Sequence, residues 1–387
     1  MNSFKYINPT EIIFGQDVYP ELGAYVKQYG KKVLLHYGGE SARKNGTYDA
    51  ITAILRQEGI DFCELGGVKP NPRLDLVQEG IRLCRIQEVD FILAAGGGSV
   101  IDSAKAIAVG ACYDGDVWDF YTGKAEPEKA LPVGVVLTIP AAGSESSNGS
   151  VITKEDETLK RSCCTSLMYP KFAVLNPRVC LSLPKQQFRA GTADILSHIM
   201  ERYFTHTTHT DLTDRMSEAA MKTLIANARI LNKQYDDMDA WAELMWTGTI
   251  AHNGLLGTGK QEDWASHGIE HELSAQYDIA HGAGLAIVFP AWMKYVYREN
   301  INRFVQFAVR VFQVDMDFSS PEAIALEGIS RLEQFFEELG LDTRLSQAGI
   351  TDEHFECMAA RACAGKTVGS FKKLGKPDVI EIYKQAL

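Results

Sequence analysis

The feature that most limits the fold is a repeated succession of apolar segment, glycine turn and helix in the first half of the chain. Lys32–Tyr37 and residues 91–95 are apolar segments of strand length. The first is followed at once by Gly38-Gly39 and the second by a triple glycine at residues 96–98, and a helical pattern comes after each turn. This succession is typical of a parallel sheet with helices on its faces.

The character of the sequence changes after about residue 180. Before that point strands and helices alternate, and hairpins are predicted within residues 4–14 and 151–164. Beyond it, every periodic segment has the spacing of an amphipathic helix. We therefore expect an α/β domain over residues 1–180 and an all-α domain over residues 181–387.

Composition and charge exclude several classes of partner. The chain has 387 residues and a formal net charge of −11, so it lacks the basic surface that nucleic acids or anionic membranes require. No apolar run approaches the roughly 20 residues of a membrane span. The start has no signal-like architecture, and 8 cysteines in such a chain are expected to be reduced thiols. We expect a cytoplasmic protein whose partner is a small molecule.

Two pairs of polar residues in the second half have the spacing of one helix face. Asp194 and His198 are four residues apart, as are His267 and His271, and His281 follows soon after. If Asp194, His198, His267 and His281 point inward together, three nitrogens and one oxygen would suit Zn²⁺ or Fe²⁺ better than Mg²⁺ or Ca²⁺. On these residues alone, the alternative that each pair is structural stays open.

The triple glycine is a candidate phosphate site. Gly97, Gly98 and Ser99 lie between an apolar strand and a helix start. Unpaired amides and the positive end of the helix dipole would favour a diphosphate there. Asp102 and Lys105 follow at helical spacing. The pattern is not GxGxxG, and a tight strand-to-helix turn without a ligand is the alternative.

The run from Gly96 to Lys105 resembles the GGGSxxDxxK signature of the iron-containing (group III) alcohol dehydrogenases. The four candidate metal ligands match the metal set of that family in type and spacing. Residues 138–145 resemble its second cofactor loop. Residues 261–267 are similar to its branch of NADPH-dependent butanol dehydrogenases and broad aldehyde reductases. The likeness extends from the first predicted hairpin to about residue 341.

The resemblance implies a Rossmann-like, dehydroquinate synthase-like α/β domain that binds a dinucleotide, an all-helical domain that binds Fe²⁺ or Zn²⁺, and a homodimer. The candidate cofactor-binding residues are Gly38, Gly39, Ser41, Asn71, Gly97, Gly98, Ser99, Asp102, Thr138, Ser144 and Lys160. Ala142 stands where many members carry Thr, so its side chain offers no polar contact. Residues 369–377 fit the branch poorly and are assigned no role.

The turn after the first apolar strand favours NADP(H) over NAD(H). An acidic residue there would accept hydrogen bonds from the ribose 2′-hydroxyl of NAD(H), and glycines occupy the turn instead. Ser41, Arg43 and Lys44 could accommodate a 2′-phosphate. Glu40 argues for the opposite preference unless it points to solvent.

His271 shares a helix face with His267, and the resemblance places the matching histidine beside the substrate. We expect it to relay protons, with the alternative that it only lines the pocket. The remaining histidines are expected to be structural or exposed: His36, His206, His209, His252 and His354.

The function predicted from the sequence is the metal-dependent interconversion of short, butanol-like primary alcohols and aldehydes with NADP(H). A sugar-phosphate cyclase-like lyase that uses bound NAD is one alternative, since that group shares the architecture. Its substrates would need several cations, whereas apolar residues such as Trp264, Ile269 and Leu273 surround the candidate ligands. A non-catalytic nucleotide-binding module is the other alternative.

Overall fold

The computed structural model describes residues 1–39 and 41–387, with the side chain of Ser41 left out. The predictions made for Glu40 and for the Ser41 hydroxyl therefore lie outside the described residues. The chain forms two compact units. Ile7–Pro184 make up the α/β unit, and Met1–Tyr6 together with Lys185–Leu387 make up the helical unit.

The α/β unit is organised around a parallel sheet. Its strands are β1 (Glu11–Phe14), β2 (Lys32–Tyr37), β3 (Asp61–Leu65), β4 (Phe91–Gly96), β5 (Val133–Leu137) and β8 (Phe172–Leu175). The described residues form six strands in the order β1-β8-β5-β4-β2-β3, and all neighbours in this order are parallel. The predicted α/β fold with a parallel sheet is confirmed.

Of the two predicted hairpins, one is present and one is wrong. β6 (Gly149–Lys154) and β7 (Leu159–Cys164) form an antiparallel hairpin. By contrast, β1 pairs in parallel with β8, and residues 4–7 form no strand. The chain does not turn back at Asn8, because the Asn8 side-chain amide donates to the Ser146 carbonyl and the Thr10 hydroxyl donates to the Pro170 carbonyl.

Helices cover the sheet, so its central strands are apolar on both faces. The helices of this unit are α1 (Leu22–Tyr29), α2 (Ser41–Lys44), α3 (Thr47–Gln57), α4 (Leu74–Gln87), α5 (Gly98–Ala111) and α6 (Trp118–Thr122). One glycine of β5 has a packing role. A Cβ on Gly134 would lie 2.5 Å from the Phe172 ring and 2.6 Å from the Phe91 ring. Its absence lets these rings, on the flanking strands, pack with centroids 5.9 Å apart.

The strand order places a crevice at the carboxyl ends of β2 and β4. From β2 the chain continues outward to β3 on one side, and from β4 it continues to β5 and β8 on the other. This reversal is a topological switch point, where open α/β sheets bind ligands. The predicted glycine turns, at Gly38 and at Gly97, follow these two strands.

The second unit is helical, as predicted. Its helices are α7 (Lys185–Tyr203), α8 (Asp211–Lys233), α9 (Met238–His252), α10 (Ala265–Tyr277), α11 (His281–Val296), α12 (Ile301–Phe312), α13 (Pro321–Glu338), α14 (Phe355–Cys363) and α15 (Lys376–Ala386). Its described residues form no strand, only an isolated bridge between Val368 and Leu374. None of the described helices combines the length and apolar character needed to cross a membrane.

The C-terminal segment, to which the sequence assigned no role, is tied to the start of α10. The backbone amides of Ser370 and Phe371 donate to the Asp263 carboxylate at 2.5 and 2.7 Å. The Phe371 ring stacks on His206 with a centroid distance of 4.4 Å. These contacts make the segment part of the packed helical unit.

Candidate metal and cofactor sites

Helix α7 carries an unusual row of buried polar side chains. Asp194, His198 and Glu201 are at most 4% exposed, and their spacing of four and three residues places them on one helix face. Burying such groups costs free energy unless each finds a partner. Their burial in the centre of the helical unit therefore indicates a built polar site.

Three predicted metal ligands from three helices converge. Asp194 lies on α7, His267 on α10, and His281 is the first residue of α11. One carboxylate oxygen and one ring nitrogen from each histidine lie within 4.8 Å of one another. Two imidazoles and a carboxylate at this separation can hold a transition-metal ion such as Zn²⁺ or Fe²⁺.

Two glutamates fix the orientation of the converging imidazoles. The Glu201 carboxylate lies 2.7 Å from His267 Nδ1 and also accepts the His267 backbone amide. The Glu270 carboxylate pairs with His281 Nδ1, and His281 Nε2 lies 3.9 Å from the Asp194 carboxylate. A carboxylate on one ring nitrogen sets the tautomer and leaves the other nitrogen as the ligand atom.

Glu201 and Glu270 are not among the residues predicted above, although the sequence carries a signal for both. Glu201 is seven residues beyond Asp194, and Glu270 is three residues beyond His267. Both spacings keep the carboxylate on the same helix face as the ligand. Burial raises the pKa of Glu201 to about 8, while backbone donation from His267 and Trp264 acts in the opposite direction.

His198 lies beside the converging group rather than within it. Its Nδ1 is 3.3 Å from the Asp194 carboxylate, and its ring centroid is 4.7 Å from that of His267. The ring of His252 meets it edge-on at 4.2 Å. Burial, with smaller contributions from His252 and His267, lowers the pKa of His198 well below its ordinary value. The resulting neutral form is the one that can bind a metal ion.

His271 occupies a second position near the same site. One of its ring nitrogens lies within 4.8 Å of a carboxylate oxygen of Glu270 and of a ring nitrogen of His281. The centroids of the His271 and His281 rings are 5.4 Å apart. His271 is half-buried, whereas His267 one turn earlier is buried. This helix face therefore runs from the converging ligands towards a more open position.

The triple glycine allows a close approach between two turns of the α/β unit. A Cβ on Gly97 would lie 3.0 Å from the Ile139 side chain, and one on Gly98 would lie 2.8 Å from the Ala142 Cβ. Gly97 is the N-cap of α5. The first turn of α5 thus meets the loop after β5 and presents the backbone amides of a helix start, which favour a phosphate.

Two predicted cofactor residues, Asp102 and Ser144, are hydrogen-bonded to each other. The Ser144 hydroxyl donates to Asp102 at 2.6 Å, and the Val151 backbone amide donates to the other carboxylate oxygen at 2.9 Å. The buried Lys105 ammonium donates to the carbonyls of Ser144, Ser147 and Gly149. Burial lowers the pKa of Lys105 to about 8. Asp102 and Lys105 together anchor the second loop onto α5.

The side chains of Asn71 and Lys160, two further cofactor candidates, are in contact. The Lys160 ammonium donates to the Asn71 side-chain carbonyl at 3.0 Å, and both residues are buried. The loop after β3, which carries Asn71, begins beside the first glycine turn, where the Gly67 amide donates to the Gly38 carbonyl at 2.9 Å. The hairpin β6–β7 therefore brings a positive charge to the region after β2 and β3.

The remaining cofactor candidates lie around the carboxyl ends of the central strands. The Thr138 amide, just after β5, donates to the Gly96 carbonyl. Gly38 and Ser99 are half-buried, and Gly39 is exposed. Arg43 is engaged elsewhere, because it donates to the Tyr37 hydroxyl at 2.8 Å and stacks 4.1 Å from the Tyr48 ring.

Family models match both units of the chain. The model for iron-containing alcohol dehydrogenase matches residues 9–177. The model for the C-terminal part of the Fe-containing alcohol dehydrogenase family matches residues 189–387. Together they cover nearly the whole sequence.

Individual relatives cover nearly all or all of the chain. The probable NADH-dependent butanol dehydrogenase 1 of Bacillus subtilis is 46% identical, with 100% of both chains covered. The NADPH-dependent aldehyde reductase YqhD of Escherichia coli is 37% identical over 90% of each. The crystal structure of NADH-dependent butanol dehydrogenase A from Thermotoga maritima is 41% identical, covers 100% of this chain and 99% of its own, and superposes with a TM-score of 0.96.

Proposed function

The chain belongs to the iron-containing alcohol dehydrogenase family and is an alcohol or aldehyde oxidoreductase, and we propose that it interconverts short, butanol-like primary alcohols and aldehydes with a divalent metal and NADP(H). The observation that carries this proposal is the convergence of Asp194, His267 and His281. The alternatives of a cyclase-like lyase and of a non-catalytic module are not retained, because the relatives are named as dehydrogenases and a reductase.

We propose that Asp194, His198, His267 and His281 hold Fe²⁺ or Zn²⁺ within residues 181–387. The donor set fits such an ion, since three of the four residues already converge and carboxylates hold the outer nitrogens of two of them. When bound, the ion would withdraw electron density from the oxygen of the alcohol or aldehyde. The imidazoles contribute by staying neutral, and Glu201 and Glu270 contribute by keeping the inward nitrogens unprotonated.

We propose that residues 1–180 bind the coenzyme, with the first turn of α5 facing the diphosphate. The amides that follow Gly97 and Gly98 would donate to phosphate oxygens. Gly38 and Gly39 leave room for a larger group at the ribose, and Lys160 supplies a positive charge held by Asn71. These features support NADP(H), while the relatives are named for either coenzyme.

Coenzyme preference is tested by the ratio of kcat/KM for NADPH to that for NADH with butanal as the substrate. A ratio above one is expected. Lys160→Gln should lower kcat/KM for NADPH and leave the value for NADH within about twofold, because only NADPH carries the 2′-phosphate that Lys160 is proposed to contact, and a charge-assisted contact is stronger than a neutral hydrogen bond. Equal losses with both coenzymes would contradict a contact between Lys160 and the 2′-phosphate.

The metal proposal is tested by measuring metal content and butanal reduction on the same preparation. His267→Ala should lose both bound metal and turnover. His354→Ala is the matched control, because this histidine is not among the proposed ligands and its ring packs against Tyr277. Full metal occupancy in His267→Ala would contradict the proposal.

We propose that His271 relays a proton between the substrate oxygen and solvent. Its half-buried position one turn beyond His267 supports this role. His271→Ala should then reduce turnover and change the dependence of kcat on pH. An unchanged profile with full activity would leave His271 only lining the pocket.

We propose that the protein is a cytoplasmic homodimer. Among the described residues β1 is an edge strand of the sheet, and Ile7 and Phe14, of the same unit, are exposed apolar side chains near or within it. An edge strand with apolar neighbours is a surface that a second copy can cover. Light scattering coupled to size exclusion should give twice the monomer mass of 42.8 kDa, and a monomer at micromolar concentration would contradict the proposal.

A further inference from the structure

Trp264 adopts a backbone conformation that tryptophan rarely takes. It is the N-cap of α10, the helix that carries His267, and its φ of +68° and ψ of 13° lie in the left-handed region. A bulky residue in this region is strained, and such strain persists only where the surroundings hold it. The residue belongs to the run 261–267 that the sequence analysis singled out, and none of the roles proposed above uses its side chain.

Hydrogen bonds hold both ends of Trp264. Its backbone amide donates to the Glu201 carboxylate at 2.7 Å, the same carboxylate that accepts the His267 ring nitrogen. Its indole Nε1 donates to Glu262 at 2.6 Å. The Arg202 guanidinium lies 4.7 Å from the indole centroid and also donates to the His198 carbonyl at 2.7 Å. The indole plane is therefore fixed relative to both α7 and α10.

The fixed indole packs against three imidazoles. Its centroid lies 5.0 Å from His267, 5.6 Å from His252 and 5.9 Å from His198, each at a steep interplanar angle. His252 in turn meets His198 edge-on. Edge-to-face contacts of aromatic rings are favourable and depend on orientation. Rotation of the His198 or His267 ring about its χ2 bond would change the angle of these contacts with the indole.

We propose that Trp264 is a positioning residue of the metal centre, whose indole restricts the rings of His198 and His267 to the orientations in which they bind the ion. The inference rests on the metal centre proposed above and extends it. A purely structural alternative is that Trp264 only starts α10. In that case its ring would matter for stability and not for metal binding.

The substitution Trp264→Gly removes the ring without adding backbone strain. Glycine adopts the left-handed region freely, so this variant removes the ring and relieves the strain together. Trp264→Phe keeps a six-membered aromatic ring and loses the five-membered ring with its Nε1 donor. Ala364→Gly is the matched control, because Ala364 also has a positive φ, of +46°, at the end of α14 and carries no side chain beyond Cβ.

The measurement is the dissociation constant for Zn²⁺ on the full chain, obtained by competition with a chromophoric chelator, together with the visible spectrum of bound Co²⁺. Trp264→Gly should bind Zn²⁺ about tenfold or more weakly, as is typical when a group that orients a ligand is lost, and should shift the Co²⁺ bands. Trp264→Phe should stay within about threefold of the wild type, and Ala364→Gly should match it. If Trp264→Gly does not fold, Trp264→Asn replaces it, because asparagine tolerates the left-handed region.

Zn²⁺ affinity and a Co²⁺ spectrum equal to those of the wild type in Trp264→Gly or Trp264→Asn would overturn the inference. So would a loss in Trp264→Phe as large as in Trp264→Gly, because an aromatic ring at this position would then not restrict the imidazoles. Failure of the wild type to bind Zn²⁺ would overturn the proposed metal centre and this inference with it. Equally tight Zn²⁺ binding by the wild type and by the variants without a ring would overturn the role of Trp264 and leave the proposed metal centre standing.

Discussion

At the scale of single residues, the candidate metal centre depends on carboxylates that hold its histidine ligands and are not themselves proposed ligands. Glu270 and Glu272 lie two positions apart on α10 and are both fully buried. Glu270 pairs with the ring of His281, whereas Glu272 pairs with Arg361 at 2.6 Å. Helix α10 thus carries one carboxylate that orients a proposed metal ligand and another that pairs with an arginine of α14.

The different partners of Glu270 and Glu272 predict different effects for the same substitution. Glu270→Gln should weaken metal binding by about 10- to 100-fold, because the amide no longer fixes the outer nitrogen of His281. Glu272→Gln should keep metal affinity and lower the melting temperature, because it leaves the Arg361 charge without its buried partner. Metal titration and thermal unfolding of both variants check the prediction, and equal metal affinity in the two variants would contradict it.

A second residue-scale prediction concerns His36 in the α/β unit. His36 is fully buried, with Nδ1 2.8 Å from the Leu65 carbonyl and Nε2 2.9 Å from the Ser103 hydroxyl. Burial lowers its pKa to about 4. The unfolded chain therefore takes up a proton on this residue below about pH 6.5 while the folded chain does not, so stability falls as pH falls from 6.5 towards 4.

The expected loss from His36 alone is about 2 kcal/mol of unfolding free energy at pH 5 relative to pH 7.5. His36→Gln is less stable than the wild type at pH 7.5 because it disturbs both hydrogen bonds, but it should lose correspondingly less on acidification. Denaturant unfolding at the two pH values measures the difference. Parallel losses in the two proteins would show that His36 does not titrate as described.

At the scale of elements, the first turn of α5 lies close against the loop after β5 in the α/β unit. Gly98→Ala places a Cβ against Ala142, and overpacking of this kind costs about 1–3 kcal/mol, equivalent to roughly 5- to 150-fold in an affinity. We expect a higher KM for NADPH with unchanged metal content. The double variant Gly98→Ala/Ala142→Gly removes the opposing Cβ and should recover most of the loss. If it remains as impaired as the single variant, the clash is not the cause.

The elements also show what the sequence could predict. Apolar runs such as β2 and β4 are recognisable because they are buried on both faces, and two histidines four residues apart report one helix face directly. β1 has only four residues, and alternation over such a length suits an antiparallel or a parallel partner equally. Its pairing with β8, about 160 residues away in sequence, is decided by tertiary contacts. The hydrogen bonds of Glu201 to α10 are long-range for the same reason.

At the scale of the whole molecule, each unit contains one complete set of candidate groups. The glycine turns, Thr138, Asn71 and Lys160 belong to the α/β unit, and every candidate metal ligand belongs to the helical unit. Coenzyme binding and metal binding can therefore be removed separately. The change near residue 180 from alternating strand and helix patterns to helix patterns alone is informative for this reason. It separates the part of the sequence with the coenzyme candidates from the part with the metal ligands.

The most direct test of the account is a crystal soaked with Zn²⁺ and measured on both sides of the zinc absorption edge. The account predicts one strong anomalous peak about 2.0–2.2 Å from a carboxylate oxygen of Asp194 and from Nε2 of His267 and His281, with His198 completing the set. A peak bound elsewhere, or none between these side chains at saturating metal, would contradict it.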